Sequence, residues 1–308
     1  MTYDLAIIGG GPAGTAAGVY ASRKRLKTVL IAESFGGQSI VSSDIQNWVG
    51  TVTIPGEQLA KDLEKHLRAY AEDIVDIKTG ELVEKIEKTA SGTFLVKTPK
   101  SQFEAKTVLI ATGSTRRKLE IPGAKEYENK GITYCATCDG PLFAGQDLLV
   151  IGGGNAAFET SAQLLAYAKS VTLLNRGGDF RADPVTVRKV LSNPSMKAVT
   201  NAQPVEVKGA KFANAIVYKD MKSGELVTLA TGGIFVEIGL IPTTWYAKDL
   251  VKLDGYGHVI VDPRTQQTSV PGVWAAGDCT DGLYHQNNIA AGDAVKALED
   301  IYNHLNLK

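Results

Sequence analysis

Cysteine is scarce here, with three residues in 308. That number in a chain of this length does not make a secreted disulfide framework. Histidine is nearly as scarce, and His66, His258, His285 and His304 show no zinc-finger spacing. Neither sign of charge is in excess, with Lys+Arg and Asp+Glu at 33 each. Nothing here resembles the basic surface of a nucleic-acid-binding protein or a polybasic membrane patch. No apolar run is long enough to span a bilayer. The opening MTYDLAIIGG has no basic region and runs straight into a strand, so no signal peptide is expected. The expected home is a reducing cytoplasm, where a close cysteine pair is more often catalytic or metal-binding than structural.

One pattern is present twice. In the first copy an apolar strand, Leu5–Ile8, runs into Gly9-x-Gly11-x-x-Gly14. A helix is expected from Ala13 to Arg25, with small Ala16, Ala17 and Gly18 for close packing, and then a strand from Thr28 to Ala32. In the second copy a strand, Leu148–Ile151, runs into Gly152-x-Gly154-x-x-Ala157. A helix is expected over Phe158–Ala168 and a strand over Val171–Leu174. Each copy is a βαβ unit carrying the dinucleotide fingerprint in its structural context. The glycines let the backbone turn sharply and approach a pyrophosphate, whose charge the following helix N-terminus favours. Glu33 closes the second strand of the first copy, where a carboxylate accepts both hydroxyls of an adenosine ribose and repels a 2′-phosphate.

Two further strands end in glycine, TVLIATGS from Thr107 and GVWAAGDC from Gly272. Alternating stretches such as GTFLVKT, SQFEAKTVLI and NAIVYKDMKSGELVTLA predict an antiparallel excursion in each unit. Helices are expected at Gly56–Ala71 and Ala290–Asn303. The fold class is α/β, with two Rossmann-like three-layer dinucleotide-binding domains. Residues 1–113 and 242–308 make one domain, into which the other, 114–241, is inserted.

The segment YCATCDGPLF places Cys135 and Cys138 in a CxxC, followed at once by Asp139. Half a zinc site, a static disulfide and a redox dithiol all use such a pair. Zinc needs four ligands, and no partner spacing supplies the others. A static disulfide sits poorly in a reducing compartment. The redox reading gives Asp139 work, because a carboxyl beside a reactive dithiol can relay protons.

GGGPAG, GGQ (Gly36–Gln38), QNW, ATGS, CATCDG, GGGNAA and AAGDC occur in the order found in low-molecular-weight thioredoxin reductases, which the chain resembles over nearly its whole length. Around YCATCDGPLF, GIFVEIGLIP and AAGDCT it is closer still to the flavoprotein component of alkyl hydroperoxide reductase. That relative usually carries an N-terminal thioredoxin-like module, which is not expected here because Leu5 already lies in the first strand. The resemblance implies an FAD-dependent pyridine nucleotide-disulfide oxidoreductase and a homodimer. It puts FAD in the first unit, against Gly9, Gly11, Pro12, Ala13, Gly14, Glu33, Gly37, Gln38, Asn47, Ala111, Thr112, Gly113, Gly277, Asp278 and Gln286. It puts the nicotinamide coenzyme in the second, against Gly152, Gly154, Asn155, Ala156, Ala157, Glu159, Arg176 and Arg181. It gives Cys138 the flavin-facing sulfur, Cys135 the attack on a thioredoxin-like or glutaredoxin-like partner, and Asp139 the acid–base role. Cys279 is expected to be a packed thiol near the flavin. Because the dithiol and the nicotinamide site share one domain, a swing on connections near Gly113–Arg117 and Leu240–Thr244 is expected.

The coenzyme pattern departs from the family's. LLNRGGDFRAD keeps Arg176 and Arg181 but has Gly177 for a middle arginine and Asn175 for a histidine. NADPH is expected, with NADH the alternative, which a carboxylate at position 175 would favour. Competing readings are a peroxiredoxin-system reductase using NADH, a reductase fed by ferredoxin or another donor, a dithiol oxidase, and a flavin-binding redox sensor without turnover.

Overall fold

The structure, a computed structural model, describes residues 2–42, 45, 47–134 and 136–307, with backbone alone for Val41, Thr137 and Cys138. The chain divides into two compact units, Met1–Thr115 with Ile241–Lys308, and Arg116–Leu240. The sequence-expected bounds at 113/114 and 241/242 differ from this division by two residues and by one. Ser114 is buried in the first unit, and Thr115 Oγ1 reaches the Ile241 carbonyl.

The first unit opens with β1 (Thr2–Ile8), α1 (Pro12–Arg23), β2 (Thr28–Ala32), α2 (Gly56–Ala71) and β3 (Val75–Thr79). Strands β4 (Lys85–Lys88), β5 (Phe94–Lys97) and β6 (Gln102–Ile110) follow, and β7 (Ser114–Arg116) leads out. The second unit contains β8 (Ile132–Thr133), α3 (Ala136–Asp139), β9 (Asp147–Ile151), α4 (Asn155–Leu164), β10 (Ser170–Leu174), α5 (Pro184–Leu191) and β11 (Met196–Val199). It ends with β12 (Ala202–Gly209), β13 (Ala213–Asp220), β14 (Leu226–Ala230) and β15 (Gly233–Val236). β16 (Leu240–Pro242) pairs with β7 and returns the chain, which closes with β17 (Val273–Ala275) and α6 (Asn287–Asn306).

The first sheet runs β3-β2-β1-β6, all parallel, with β17 parallel to the carboxyl half of β6. β5 runs antiparallel to the amino half of β6, and β4 lies beyond it, which is the expected excursion. β1 reads as a continuous apolar run because both its faces are covered. Leu5 and Ile7 face a core with α1, α2 and α6, while Ala6 and Ile8 face a second core with Val96, Val108 and Tyr246. Small side chains let the helices approach: Ala13, Ala17 and Ala21 of α1 share a core with Ala290, Ala294 and Ala297 of α6. Leu67 of α2 packs on Gly18, where a Cβ would strike its Cδ1. Truncating the fully buried Leu67 to Ala is expected to cost about 2–5 kcal/mol.

The second sheet runs β11-β10-β9-β15-β8, all parallel, with β12-β13-β14 as a separate antiparallel sheet. Its central strand, β9, carries the glycine turn. The helix after that turn starts three residues earlier than its periodicity predicts and stops at Leu164 instead of Ala168. The lost turn has a local cause. The Tyr167 carbonyl accepts from the Gly145 amide, and the Lys169 amide donates to Gln146, so the 145–146 loop draws the chain out of the helix.

Candidate active site

In the first unit the glycine turn at the end of β1 opens a half-open cleft of about 300 Å³. Gly9, Gly11, Pro12, Ala13, Glu33, Gly37, Gln38, Ala111, Thr112, Gly113, Gly277 and Asp278 all line it. They come from four carboxyl ends of parallel strands, the start of α1 and the start of a short 3-10 helix, Gly37–Val41, the crevice where open α/β sheets bind ligands. Gly9 has φ +119°, and a Cβ there would strike the Ala111 carbonyl, so only glycine fits. A Cβ at Gly11 would stand in the cleft, with Gly37 Cα at 3.9 Å its one neighbour. No side chain caps α1, which leaves its first-turn amides open to an anion. Glu33 is exposed at the end of β2 and lines the same cleft. Burial pushes the Asp278 carboxyl above its ordinary range, with His285 opposing. A glycine turn with open helix amides and an exposed carboxylate, both on the wall of one cleft, fit an adenine dinucleotide such as FAD.

Three expected residues have other placements. Gly14 does not line the cleft. It lies against the Gly9 carbonyl, which a Cβ would strike, so its role is to bring helix and strand together. Asn47 and Gln286 also lie off the cleft wall, and Asn47 Nδ2 donates to Gln286 Oε1 at 2.9 Å. Asn288 Nδ2 donates to the Asn47 carbonyl at 2.6 Å, so these amides tie two loops together. Conversely, Leu82, Val83, Thr243, Trp245 and Tyr246 line the cleft without any sequence signal, and Ser114, the last residue of ATGS, joins them. Tyr246 is placed by its partner: its hydroxyl lies 3.0 Å from Thr112 Oγ1, which donates to the Thr243 carbonyl at 2.6 Å. Cys279 is fully buried beneath this wall, with Sγ 3.3 Å from the Ala276 carbonyl, and burial pushes its thiol up to about 11.

The second unit repeats the turn at the end of β9. α4 starts at Asn155 with no side-chain cap, Ala157 is fully buried, and Ala156 and Glu159 are exposed. Gly154 is open, with nothing within 4 Å of an added Cβ. Asn155 Oδ1 accepts from the Asp183 amide at 2.7 Å, which brackets the starts of α4 and α5. Asp183 in turn caps α5, accepting from Val185 and Thr186 at 2.9 and 3.1 Å. Arg176 and Arg181 are exposed on the 175–181 loop, and among the described residues neither has an ion pair. That loop is built by Asn175. Its buried Nδ2 donates to the carbonyls of Gly177 at 3.1 Å and Asp179 at 2.9 Å. The Arg181 amide donates to the Gly153 carbonyl at 2.7 Å, pinning the loop to the glycine turn.

Of the dithiol segment, Cys135 and the side chain of Cys138 lie outside the described residues. Asp139 ends α3, half-buried, and accepts a short hydrogen bond from Thr133 Oγ1 at the end of β8.

Two Rossmann-type units in one chain, the second inserted into the first and carrying the CxxC, define a two-dinucleotide oxidoreductase. The chain belongs to the pyridine nucleotide-disulphide oxidoreductase family, which it matches over residues 3–294. It is similar to an alkyl hydroperoxide reductase component of Xanthomonas campestris pv. phaseoli, 40% identical over 98% of this chain and 57% of that protein. It is also similar to a Bacillus subtilis (strain 168) protein named NADH dehydrogenase, 37% identical over 98% of this chain and 58% of that one. The chain thus spans somewhat over half the length of these curated relatives. Among solved structures, Lactococcus lactis thioredoxin reductase in its FR conformation superposes with a TM-score of 0.88, at 35% identity and with both chains fully covered.

Proposed function

We propose that this chain is a thioredoxin-reductase-like disulfide reductase, passing electrons from NAD(P)H through FAD and the Cys135–Cys138 dithiol to a disulfide of a small redox protein. The observation that carries the reading is the pairing of two glycine-turn units in one interrupted chain with CATCD inside the second. FAD, when bound, supplies the step between a two-electron hydride donor and a dithiol. Gly9, Gly11 and the open start of α1 would hold its pyrophosphate, Glu33 its ribose hydroxyls, and Asp278 its ribitol or pyrophosphate side. The Cys135–Cys138 disulfide takes up two electrons and opens. Cys135 then attacks one sulfur of the partner's disulfide, and the other sulfur leaves as a thiol with a proton that Asp139 can relay. Cys138 attacks the mixed disulfide, Cys135–Cys138 re-forms, and the partner departs as a dithiol. Thr133 keeps the Asp139 carboxyl oriented for that work.

NADPH is the favoured coenzyme, by a modest margin, with NADH also accepted. Exposed Arg176 and Arg181, without acidic partners among the described residues, suit a 2′-phosphate, and no carboxylate stands at position 175 to hold ribose hydroxyls. A second reading, supported by the identity to alkyl hydroperoxide reductase components, makes the acceptor a disulfide in a peroxide-reducing system fed by NADH. A homodimer is supported by the exposed apolar side chains of Val49, Val52, Leu283 and Tyr284, on the two loops tied by Asn47 and Gln286. The cytoplasmic reading rests on the cysteine usage; among the described residues no helix is long and apolar enough to cross a membrane. The test is stopped-flow reduction of the bound flavin by NADPH and NADH separately, followed by turnover with thioredoxin-like disulfides. Flavin reduction by neither coenzyme would sink the proposal.

A further inference from the structure

The crevice of the second unit holds an ion pair, Arg116 with Glu237, that the expected coenzyme ligands do not include. In the order β11-β10-β9-β15-β8, connections leave β9 in opposite directions, so the topological switch point lies between the carboxyl ends of β9 and β15. Gly152 follows one and Glu237 the other. A Cβ at Gly152 would strike the Glu237 carbonyl, and the Glu237 amide donates to Ile151 at 2.8 Å, so the two ends are in contact. The Glu237 side chain is 10% exposed. Thr160 Oγ1 of α4 donates to its Oε1 at 2.9 Å, and Arg116 Nη1 bridges both oxygens at 3.2 and 3.1 Å. Burial still raises the carboxyl above its ordinary value, and Glu159, next to Thr160 on α4, adds a like charge.

Two carboxylates beside a glycine turn are a poor setting for a pyrophosphate unless a cation stands with them. Arg116 supplies that cation, and it has capacity left. A guanidinium carries five N–H donors in a fixed fork, and Glu237 takes those of a single nitrogen. Among the described residues the Arg116 side chain has no other hydrogen-bond partner, and it is 32% exposed. A buried carboxylate that grips one nitrogen of a guanidinium orients the remaining ones.

Resting on the reading of this unit as the nicotinamide-dinucleotide domain, we infer that Arg116, oriented by Glu237 and Thr160, is a coenzyme ligand that donates to the dinucleotide pyrophosphate. It differs in kind from Arg176 and Arg181. It recognises what NADPH and NADH share, so it sets affinity without setting preference.

The test is a double-mutant cycle on the full chain, read as dissociation constants by titration calorimetry. The probes are ADP-ribose, which has the pyrophosphate and lacks the nicotinamide, and adenosine 2′-monophosphate, which lacks the pyrophosphate. Arg116→Gln is expected to weaken ADP-ribose roughly tenfold to a hundredfold, the loss of a charged hydrogen bond to phosphate, and to leave adenosine 2′-monophosphate unchanged. Glu237→Gln removes a negative charge and is expected to bind ADP-ribose as tightly as wild type or tighter. The double variant is expected to recover part of the Arg116→Gln loss and remain at least about tenfold weaker than wild type. If the double variant binds ADP-ribose like wild type, Arg116 is only a counter-ion for Glu237 and the inference fails. If Arg116→Gln weakens both probes equally, the arginine acts through the fold, which also overturns it. Wild type that binds neither probe would instead overturn the coenzyme reading of the whole unit.

Discussion

Replacing Asn175 by Asp changes one atom type and tests whether coenzyme preference at this position is separable from the fold. The side chain is 8% exposed and lies against Gly153, where an added Cβ would strike its amide. Its Nδ2 holds the carbonyls of Gly177 and Asp179 at 3.1 and 2.9 Å. An oxygen in that place donates nothing and faces two carbonyl oxygens. Losing hydrogen bonds while leaving buried partners unsatisfied costs about 1–3 kcal/mol per group, so a total near 3 kcal/mol is a conservative expectation. That would lower the unfolding midpoint of the second unit by roughly 10 °C. Arg176 and Arg181 ride on the same loop, so NADPH and NADH should both bind more weakly. The introduced carboxyl is buried and favours its neutral form, so its folded pKa lies above its unfolded one. Its neutral form can donate one hydrogen bond, and the deficit should shrink as pH falls toward 5. The sequence alone suggests that Asn175→Glu moves preference toward NADH. The geometry instead makes loss of both coenzymes the expected outcome, because a longer acid cannot occupy the space between Gly153 and the loop. Calorimetric melting and coenzyme titration at pH 5 and pH 8 decide it. A variant that melts with the wild type and binds both coenzymes normally would refute the reasoning.

Three other outcomes are expected. Cys135→Ser should leave the Cys138 thiolate beside oxidised flavin, with a long-wavelength charge-transfer band, intact flavin reduction and no disulfide turnover; full turnover would remove Cys135 from the mechanism. Arg176→Ala should raise the Michaelis constant for NADPH roughly tenfold or more while leaving that for NADH and the melting temperature nearly unchanged; equal effects on both coenzymes would make it a surface charge. Cys279 is raised from 9.0 to about 11 by burial, so its stabilisation is complete below pH 9 and lost as pH rises toward 11. The full loss is about 3 kcal/mol, of which about 2 kcal/mol falls between pH 8 and 10.5; urea titrations at those two pH values read it, and Cys279→Ala should flatten the slope.

What could be read from sequence was local. A strand, a glycine turn and a helix are contiguous, and each of their residues signals through its own backbone demand. Both βαβ units and the helix over Gly56–Ala71 were legible for that reason, as were the alternating excursions. Apart from the early end of α4, which the 145–146 loop decides, the segments that departed from expectation were decided by partners far away in the chain. α6 begins at Asn287, ahead of the apolar periodicity, where Asn287 accepts from Ser39 Oγ at 2.9 Å and Asn288 binds Asn47. Asn47 and Gln286, 239 positions apart, found each other instead of the cleft wall.

The same reasoning explains why the second crevice looked simpler in sequence than it is. Its glycine turn announces a place for a pyrophosphate, but the charges around that place come from three separate elements. Glu159 rides on α4, Glu237 follows β15, and Arg116 arrives on β7, 121 positions before its carboxylate partner. As linear text, VEIG and STRR are a strand end and a connection. Together they turn a crevice with two acids into one whose buried acid holds a cation in place. The proposed adenosine end has the opposite construction: Arg176 and Arg181 stand on a loop organised by a neutral amide, and among the described residues no acid pairs with them. A coenzyme-binding domain built this way is expected to grip the shared part of both coenzymes firmly and to distinguish the 2′-phosphate weakly. Such a balance suits a chain whose arginine pattern matches neither an NADPH nor an NADH signature in full.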